Sequence, residues 1–190
     1  MNICIYGASS NTIHPEYLSA GEDLGRRMAM RGHSLVFGGG ACGMMGAVAR
    51  GMTAGGGMIL GVAPSFFHVD GVLYDRCTEF VYTETMRERK RIMEERADAF
   101  VMTPGGIGTF EEFFEILTLK QLGKHEKPIA ILNTRNYFDP IARMLRTAVD
   151  QNFMRPECLG LFGVFDRPEE LLDGLEHPAK AAPGTIWKDI

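Results

Sequence analysis

Short apolar segments alternate with amphipathic segments along most of the chain. The apolar segments are only a few residues long and are bounded by glycine or polar residues. This pattern predicts an α/β fold in which a buried, mostly parallel sheet is flanked by helices. We predict about seven strands, at residues 3–6, 35–37, 58–62, 80–82, 99–102, 129–132 and 161–165.

The segment after the first predicted strand has the spacing of an amphipathic helix. Tyr17, Gly21, Leu24 and Met28 recur along one stripe, and charged residues lie on the opposite side. Gly32 follows at the usual position of a glycine that ends a helix. We therefore expect a helix that packs its apolar stripe on the sheet.

Composition narrows the class of protein. The chain has 190 residues, of which 45% are hydrophobic and 23% charged, with a formal net charge of -4. These values predict one soluble domain at residues 1–176, followed by a C-terminal tail at residues 177–190. The weakly acidic balance disfavours a nucleic-acid polymer or a membrane as partner. Because the first residues lack a basic or a long apolar run, we expect a cytoplasmic protein.

The cysteines and histidines do not suggest a metal site. Cys4, Cys42, Cys77 and Cys158 are far apart and form no C-x-x-C motif, so we expect free thiols. The five histidines form no pair at ligand spacing. We therefore predict no bound metal.

Glycine is concentrated after predicted strands. Of the 23 glycines, eleven lie between Gly32 and Gly61 and three between Gly105 and Gly108. They form loops at residues 7–10, 38–43 and 104–109. Glycine lets phosphate oxygens approach backbone amides, and ligands of parallel sheets bind where such loops meet. The three loops together predict a phosphate-bearing ligand, although each alone also fits a tight turn.

The second glycine loop matches the dinucleotide motif G-x-G-x-x-G. That motif normally follows the first strand, with an acidic residue about 20 positions later. Here the loop follows the second predicted strand, and residues 58–63 contain no acidic residue. The match alone therefore does not support a nicotinamide cofactor.

One arginine is predicted to lie on the apolar side of a helix. Thr85 and Glu88 form a T-x-x-E signature that opens a helix running to about Ala97. Arg89 projects from the apolar stripe of that helix, where a guanidinium needs an anionic partner or an opening. We expect a functional site at Arg89. The alternative is a snorkelling side chain, whose charged end reaches solvent, and this is how we interpret Arg96.

A second T-x-x-E signature spans Thr109 to Glu112. Its local interpretation is a capping box, in which Thr109 caps the helix and Glu112 reaches back to it. The turns that follow are apolar nearly all round, so we expect a buried helix, partly covered by a second subunit. Glu111, Glu112 and Glu115 enter that apolar setting together, which makes at least one of them a candidate for chemistry.

Several of these motifs, in this order, resemble the Lonely Guy family. Its members are cytokinin riboside 5'-monophosphate phosphoribohydrolases, long mislabelled as lysine decarboxylases. The resemblance covers roughly residues 1–135. Its central motifs are M-R-E-R-K at residues 86–90 and P-G-G-I-G-T-F-E-E at residues 104–112, and it extends through residues 7–10, 35–40, 43–46, 61–64, 119–123 and 127–128.

The resemblance implies a fold, a reaction and a set of site residues. The fold would be a Rossmann-like three-layer α/β fold, in a homodimer or a higher homo-oligomer whose active site is completed near the subunit interface. The reaction would hydrolyse the N-glycosidic bond of a nucleoside 5'-monophosphate, with no metal and no cofactor. Arg89 and Glu112 would be catalytic. The implied substrate-binding and phosphate-binding residues are Lys90, Gly105, Gly106, Ile107, Gly108 and Thr109, with Ser9, Gly39, Gly40 and Met86 beside them.

The sequence also departs from the family, and two alternatives stay open. The family often has histidine at Arg87, tyrosine at Ile107, and in plant members a G-E-T-V-G-E stretch where residues 68–75 stand here. These departures concern recognition of the base. A general AMP nucleosidase is one alternative, and a non-catalytic carrier of a nucleotide or the molybdenum cofactor is the other.

Overall fold

The seven predicted strands form one parallel sheet. The computed structural model describes residues 1–178. Its strands are β1 (Asn2–Tyr6), β2 (Ser34–Phe37), β3 (Ile59–Pro64), β4 (Glu79–Thr83), β5 (Ala99–Met102), β6 (Ile129–Leu132) and β7 (Gly163–Phe165). The strand order is β4-β3-β2-β1-β5-β6-β7, and every neighbouring pair is parallel. The predicted α/β sheet is thereby confirmed.

Within residues 1–178, six helices cover the two faces of the sheet. They are α1 (Pro15–Met30), α2 (Gly43–Ala54), α3 (Met86–Arg96), α4 (Ile107–Gln121), α5 (Asp139–Asp150) and α6 (Pro168–Glu176). Residues of α1, α2 and α6 share one hydrophobic core with the sheet, and residues of α3, α4 and α5 share the other. These three layers are the expected Rossmann-like architecture.

The first helix has the predicted stripe and the predicted end. Gly21, Leu24 and Met28 are buried in α1, and Gly32 follows with φ +72°. A left-handed residue at this position satisfies the last carbonyls of the helix. The amide of His33 accordingly donates to the carbonyl of Met28 at 2.9 Å.

Strand order places the three glycine loops side by side. The order reverses at β1, since β2, β3 and β4 extend to one side and β5, β6 and β7 to the other. Tyr6 and Met102, the last residues of β1 and β5, are partners in the sheet register. Ligands of open parallel sheets bind at such a reversal, beyond the carboxyl ends of the strands. The loops after β2, β1 and β5 therefore meet at one edge.

The remaining expectations concern the seventh strand, the cysteines, a membrane span and the C-terminal tail. The seventh strand begins two residues later than predicted, because Pro156–Leu161 forms a short 3-10 helix. All four cysteines are free, with Cys4 and Cys158 buried. Within residues 1–178 no helix is long and apolar enough to cross a membrane. The predicted tail, apart from His177 and Pro178, lies outside the described residues.

Candidate active site

Helix α4 begins with an open turn at the carboxyl edge of the sheet. Gly106 is its N-cap and contributes no side-chain cap, and the amide of Phe110 is the first to bond back, to the Gly106 carbonyl at 3.1 Å. The amides of Ile107, Gly108 and Thr109 have no intrahelical acceptor. Gly106 and Gly108 are exposed, and a Cβ on either would meet no atom within 4 Å. Helix dipole and open amides together give this turn the features of an anion-binding site.

The loop that leads into α4 is held from two sides. The amide of Ala8 donates to the carbonyl of Pro104 at 3.1 Å, which joins the loops after β1 and β5. From the other side, the hydroxyl of Tyr137 donates to the carbonyl of Gly105 at 2.7 Å. Gly105 is buried, and a Cβ there would overlap the Thr109 hydroxyl. The glycine is therefore required by packing, whereas Gly106 and Gly108 leave space for a ligand.

Buried Arg89 and largely buried Glu112 form an ion pair between α3 and α4. Arg89 is 7% exposed, and its Nη1 donates to Glu112 Oε1 at 2.7 Å. Its Nε donates to the carbonyl of Val62, near the end of β3, at 3.1 Å. The anionic partner expected for this arginine is thus Glu112. Arg96, assigned to the surface, is half exposed and pairs with Glu79.

Burial dominates the electrostatics of the pair. It raises the pKa of Glu112 above its ordinary value, although the nearby Arg89 opposes the shift. An apolar pair of similar size is often as stable as a buried ion pair, whereas removing one partner costs about 3–5 kcal/mol. Stability alone therefore gives little reason for this pair. Its position at the ligand-binding edge indicates a functional role.

The capping-box interpretation of Thr109 and Glu112 is wrong. Helix α4 begins at Ile107, so Thr109 lies inside its first turn and is buried. Glu112 is then too far from the N-cap to close a box, and its carboxylate bonds to Arg89 instead. The first signature is confirmed, since the Thr85 hydroxyl accepts from the amide of Glu88 at the start of α3.

Lys90 joins the same two helices on the outer side of the ion pair. Its Nζ donates to Glu111 Oε1 at 2.5 Å and lies 2.8 Å from Glu115 Oε2. Burial lowers the pKa of Lys90, but these two carboxylates outweigh it, so the pKa lies above its ordinary value. The residue expected to bind substrate thus makes contacts between α3 and α4.

The expected site residues of the second glycine loop are covered by the chain itself. The carbonyl of Gly39 accepts from the amide of Tyr74, and the amide of Ala41 donates to the carbonyl of Val72. Gly40 forms an isolated antiparallel bridge with Leu73. Segment 72–74 therefore lies over this loop.

The start of α2 is also occupied. Its first amide, that of Gly43, donates to Asn11 Oδ1 at 2.8 Å, and the amide of Met45 donates to the carbonyl of Ala8 at 3.2 Å. Of the two helix starts that follow β2 and β5, that of α4 is the open one. Of the remaining expected residues, Ser9 is exposed in the loop after β1, and Met86 is 41% exposed at the start of α3.

Sequence patterns did not identify Val62 and Tyr137. Val62 contributes a backbone carbonyl and Tyr137 a single hydroxyl, each to a residue distant in sequence. Neither contribution has a local signature. Within residues 1–178, no group of three His, Cys, Asp or Glu side chains is placed to hold a metal ion.

The open amides and Glu112 belong to the same end of α4. Glu112 follows Ile107 by five residues, which is about 7.5 Å along a helix axis. The start of the helix and the residue that pairs with Arg89 therefore lie on neighbouring turns.

Known proteins are similar to this chain in sequence and in fold. Residues 45–175 match the model of a family described as "Possible lysine decarboxylase". The cytokinin riboside 5'-monophosphate phosphoribohydrolase of Mycobacterium tuberculosis is 37% identical over 170 residues, which are 90% of this chain and 90% of that protein. The probable cytokinin riboside 5'-monophosphate phosphoribohydrolase LOG6 of Arabidopsis thaliana is 36% identical over 176 residues, 93% and 88% of the two chains. In fold, the molybdenum cofactor carrier protein of Chlamydomonas reinhardtii is similar at TM-score 0.70 and 23% identity, over 92% of this chain and 94% of that chain.

Proposed function

Because the chain belongs to the family described as possible lysine decarboxylase, whose curated relatives are named phosphoribohydrolases, we propose that it hydrolyses N6-modified adenosine 5'-monophosphates. The products are the free base and ribose 5-phosphate. The observation that carries the proposal is the position of a buried carboxylate, that of Glu112, on the same helix as an open anion site.

The reaction breaks the bond between C1′ of the ribose and a ring nitrogen of the base. The base leaves with the bonding electrons and takes up a proton, and a water oxygen forms the new bond to C1′ and loses one. Positive charge develops on the ribose in the transition state, as in other glycoside hydrolyses. The Glu112 carboxylate is the group that responds to this charge. It does so in one of three ways: as an electrostatic stabiliser, as a nucleophile or as a base that orients the attacking water.

The remaining site residues bind and orient. The amides of Ile107, Gly108 and Thr109 hold the phosphate, and Gly105 and Gly106 shape the loop. Arg89 orients Glu112 through the bond from its Nη1. Ser9 and Met86, which are exposed at this edge, complete the proposed binding set. Gly39 and Gly40 are covered by segment 72–74, and Lys90 pairs with Glu111 and Glu115, so for these three residues we propose a role in shaping the site.

The geometry does not favour the decarboxylase description. That chemistry would need a lysine amine free to form a Schiff base with pyridoxal phosphate. Lys90 is held as an ammonium between Glu111 and Glu115. Lys120 lies at the far end of α4, and its Nζ donates to the carbonyl of Lys127.

We also propose that residues 1–176 form the catalytic domain and that it works as a homodimer or a higher homo-oligomer. The supporting observation is α5, whose apolar stripe contains no buried residue in a single chain. A second copy would cover that stripe. The nucleotide monophosphate is the partner expected at the site itself.

The test is a substrate panel with the purified protein. AMP, N6-isopentenyl AMP and the matching unphosphorylated ribosides are incubated, and free base and ribose 5-phosphate are measured. We expect release from the monophosphates, with a preference for the N6-modified one. Equal turnover of AMP would identify a general nucleosidase, and no release from any monophosphate would refute the hydrolase.

Glu112→Gln is the matched variant for the same assay. It keeps the side-chain size and a hydrogen bond to Arg89, but it removes the negative charge. We expect a folded protein whose turnover is lower by at least about 100-fold, the scale of a lost transition-state contact. If the folded variant turned over at the wild-type rate, Glu112 would not be the catalytic carboxylate.

A further inference from the structure

Gly38 lies directly against the guanidinium of Arg89. It is the first residue after β2, and it is buried. A Cβ built on Gly38 would overlap Nη2 of Arg89 and would lie 3.1 Å from its Cζ and 3.4 Å from its Nε. All three of the nearest atoms thus belong to one side chain.

The backbone of Gly38 does not itself require glycine. Gly39 and Gly43 in the same loop have φ values of 78° and 61°, but Gly38 is not in the left-handed region. An L-residue is therefore allowed at Gly38 by its backbone conformation. The nearest obstacle to a side chain is the guanidinium.

Contacts from three directions fix that guanidinium. Its Nη1 donates to Glu112, its Nε donates to the carbonyl of Val62, and its Nη2 lies over Gly38. The two hydrogen bonds set its orientation, and the bare Cα of Gly38 sets how deeply it enters. A side chain at Gly38 would push the guanidinium away from its acceptors.

We propose that Gly38 is a positioning residue, whose missing side chain lets Arg89 reach the depth at which it orients the Glu112 carboxylate. The inference rests on the proposed function for its catalytic consequence. It gives the second glycine loop a role in the reaction through Arg89, without contact to the phosphate.

The first experiment compares Gly38→Ala with Gly57→Ala. Gly57 follows α2 at the opposite edge of the sheet, where a Cβ would lie 2.5 Å from Met52 Cε and 2.9 Å from Ala29 Cβ. It therefore tests the effect of crowding away from the site. We expect Gly38→Ala to lower kcat by about 100-fold, the cost of a displacement near 1 Å, with a smaller change in KM. Gly57→Ala should keep the wild-type kcat, and equal kcat in the two variants would overturn the proposal.

The second experiment is a double-mutant cycle measured by thermal unfolding, which needs no activity. Gly38→Ala should lower Tm in the wild-type background but not in an Arg89→Ala background, where the three obstructing atoms are absent. If Gly38→Ala does not fold alone, restored folding in the double variant supports the proposal. An equal loss in both backgrounds overturns it. Failure of the substrate panel would refute the function and leave this cycle interpretable.

A pH profile separates positioning from a merely structural role. Displacing Arg89 weakens its interaction with Glu112, which opposes the effect of burial, so the pKa of that carboxyl should rise further. The acid limb of the pH profile, where kcat falls as Glu112 is protonated, should then move to higher pH in Gly38→Ala. It should stay in place in Gly57→Ala. An unmoved limb in Gly38→Ala would contradict the proposed displacement.

Discussion

The choice among three neighbouring glutamates is decided by helical geometry. Glu111 and Glu115 are four residues apart and therefore share a face of α4, where both meet Lys90. Glu112 lies about 100° away around the helix, so its carboxylate reaches Arg89 instead. Residue spacing predicted that Arg89 needs an anion and that at least one acid has a chemical role, and the family resemblance named Arg89 and Glu112 together. Spacing alone could not pair them, because the pairing depends on how α3 and α4 pack.

Ionisation of Glu112 should determine the acid limb of activity. Each of its three candidate roles needs the carboxylate, so protonation removes activity as the pH falls through the pKa of this group. Burial raises that pKa above the ordinary 4.5, and the half-maximal point of kcat should therefore lie above pH 4.5. The measurement is kcat for a nucleotide monophosphate as a function of pH.

Two variants assign this limb to its residue. Glu112→Gln cannot titrate at this position, so its residual activity should lack the limb. Glu95→Gln removes an exposed carboxylate of α3 that pairs with Arg91, and it should keep the limb unchanged. A half-maximal point at or below pH 4.5 in the wild type would contradict the raised pKa.

At the scale of elements, the start of α4 shows where a local pattern misleads. The capping box placed the N-cap at Thr109, but the N-cap is Gly106, three residues earlier. Gly106 offers no side-chain acceptor, and sequence signatures of helix starts depend on such acceptors. The same lack of an acceptor leaves the first amides free for a ligand. The lack of a side-chain cap at Gly106 therefore both hides the helix start in the sequence and leaves the amides of the proposed anion site open.

An aspartate at Gly106 should satisfy these amides and compete with the substrate. The N-cap has extended backbone geometry, which suits aspartate, and its carboxylate would accept from the amide of Gly108 or Thr109. We expect Gly106→Asp to keep or raise Tm while the KM for the monophosphate rises at least about tenfold, or ~1.4 kcal/mol. Thermal unfolding and steady-state kinetics measure the two effects.

Asparagine at Gly106 is the matched control for charge. It has the same size and caps the helix, but it does not repel a phosphate. Gly106→Asn should therefore raise KM less than Gly106→Asp, and added salt should narrow the gap. Unchanged KM in both variants would show that the substrate phosphate binds elsewhere.

At the scale of the whole molecule, the sheet was easier to predict than the arrangement around it. The five inner strands are buried on both faces and appear as short apolar runs, and the two partly exposed edge strands were recognised with them. The cover of the second glycine loop by segment 72–74 was not recognised, because it uses backbone bonds to a segment about 30 residues away. Such long-range backbone pairing has no local residue signature. Chain packing thus explains why Gly39 and Gly40 are less open than Gly106 and Gly108.

Helix α5 predicts which face of the molecule meets a second copy. Ile141, Leu145 and Ala148 recur at helical spacing but are only half buried. Beside them, Met144 is 69% exposed, and Phe153, just after the helix, is 87% exposed. An apolar stripe of this kind is normally covered, and stable dimers bury roughly 1,200–2,000 Å² in total.

Charges placed on this face should dissociate the assembly. Met144→Asp combined with Phe153→Asp changes two side chains that are exposed in a single chain, so the monomer fold should persist while burial of two carboxylates opposes association. Sedimentation should give the mass of one chain, with lower turnover if the partner completes the site. Met30→Asp with Met58→Asp, on exposed methionines of other surfaces, should keep the wild-type mass. If the α5 variant also kept that mass, the subunits would associate through a different face, since a dimer formed across this helix cannot bury both carboxylates without loss of affinity.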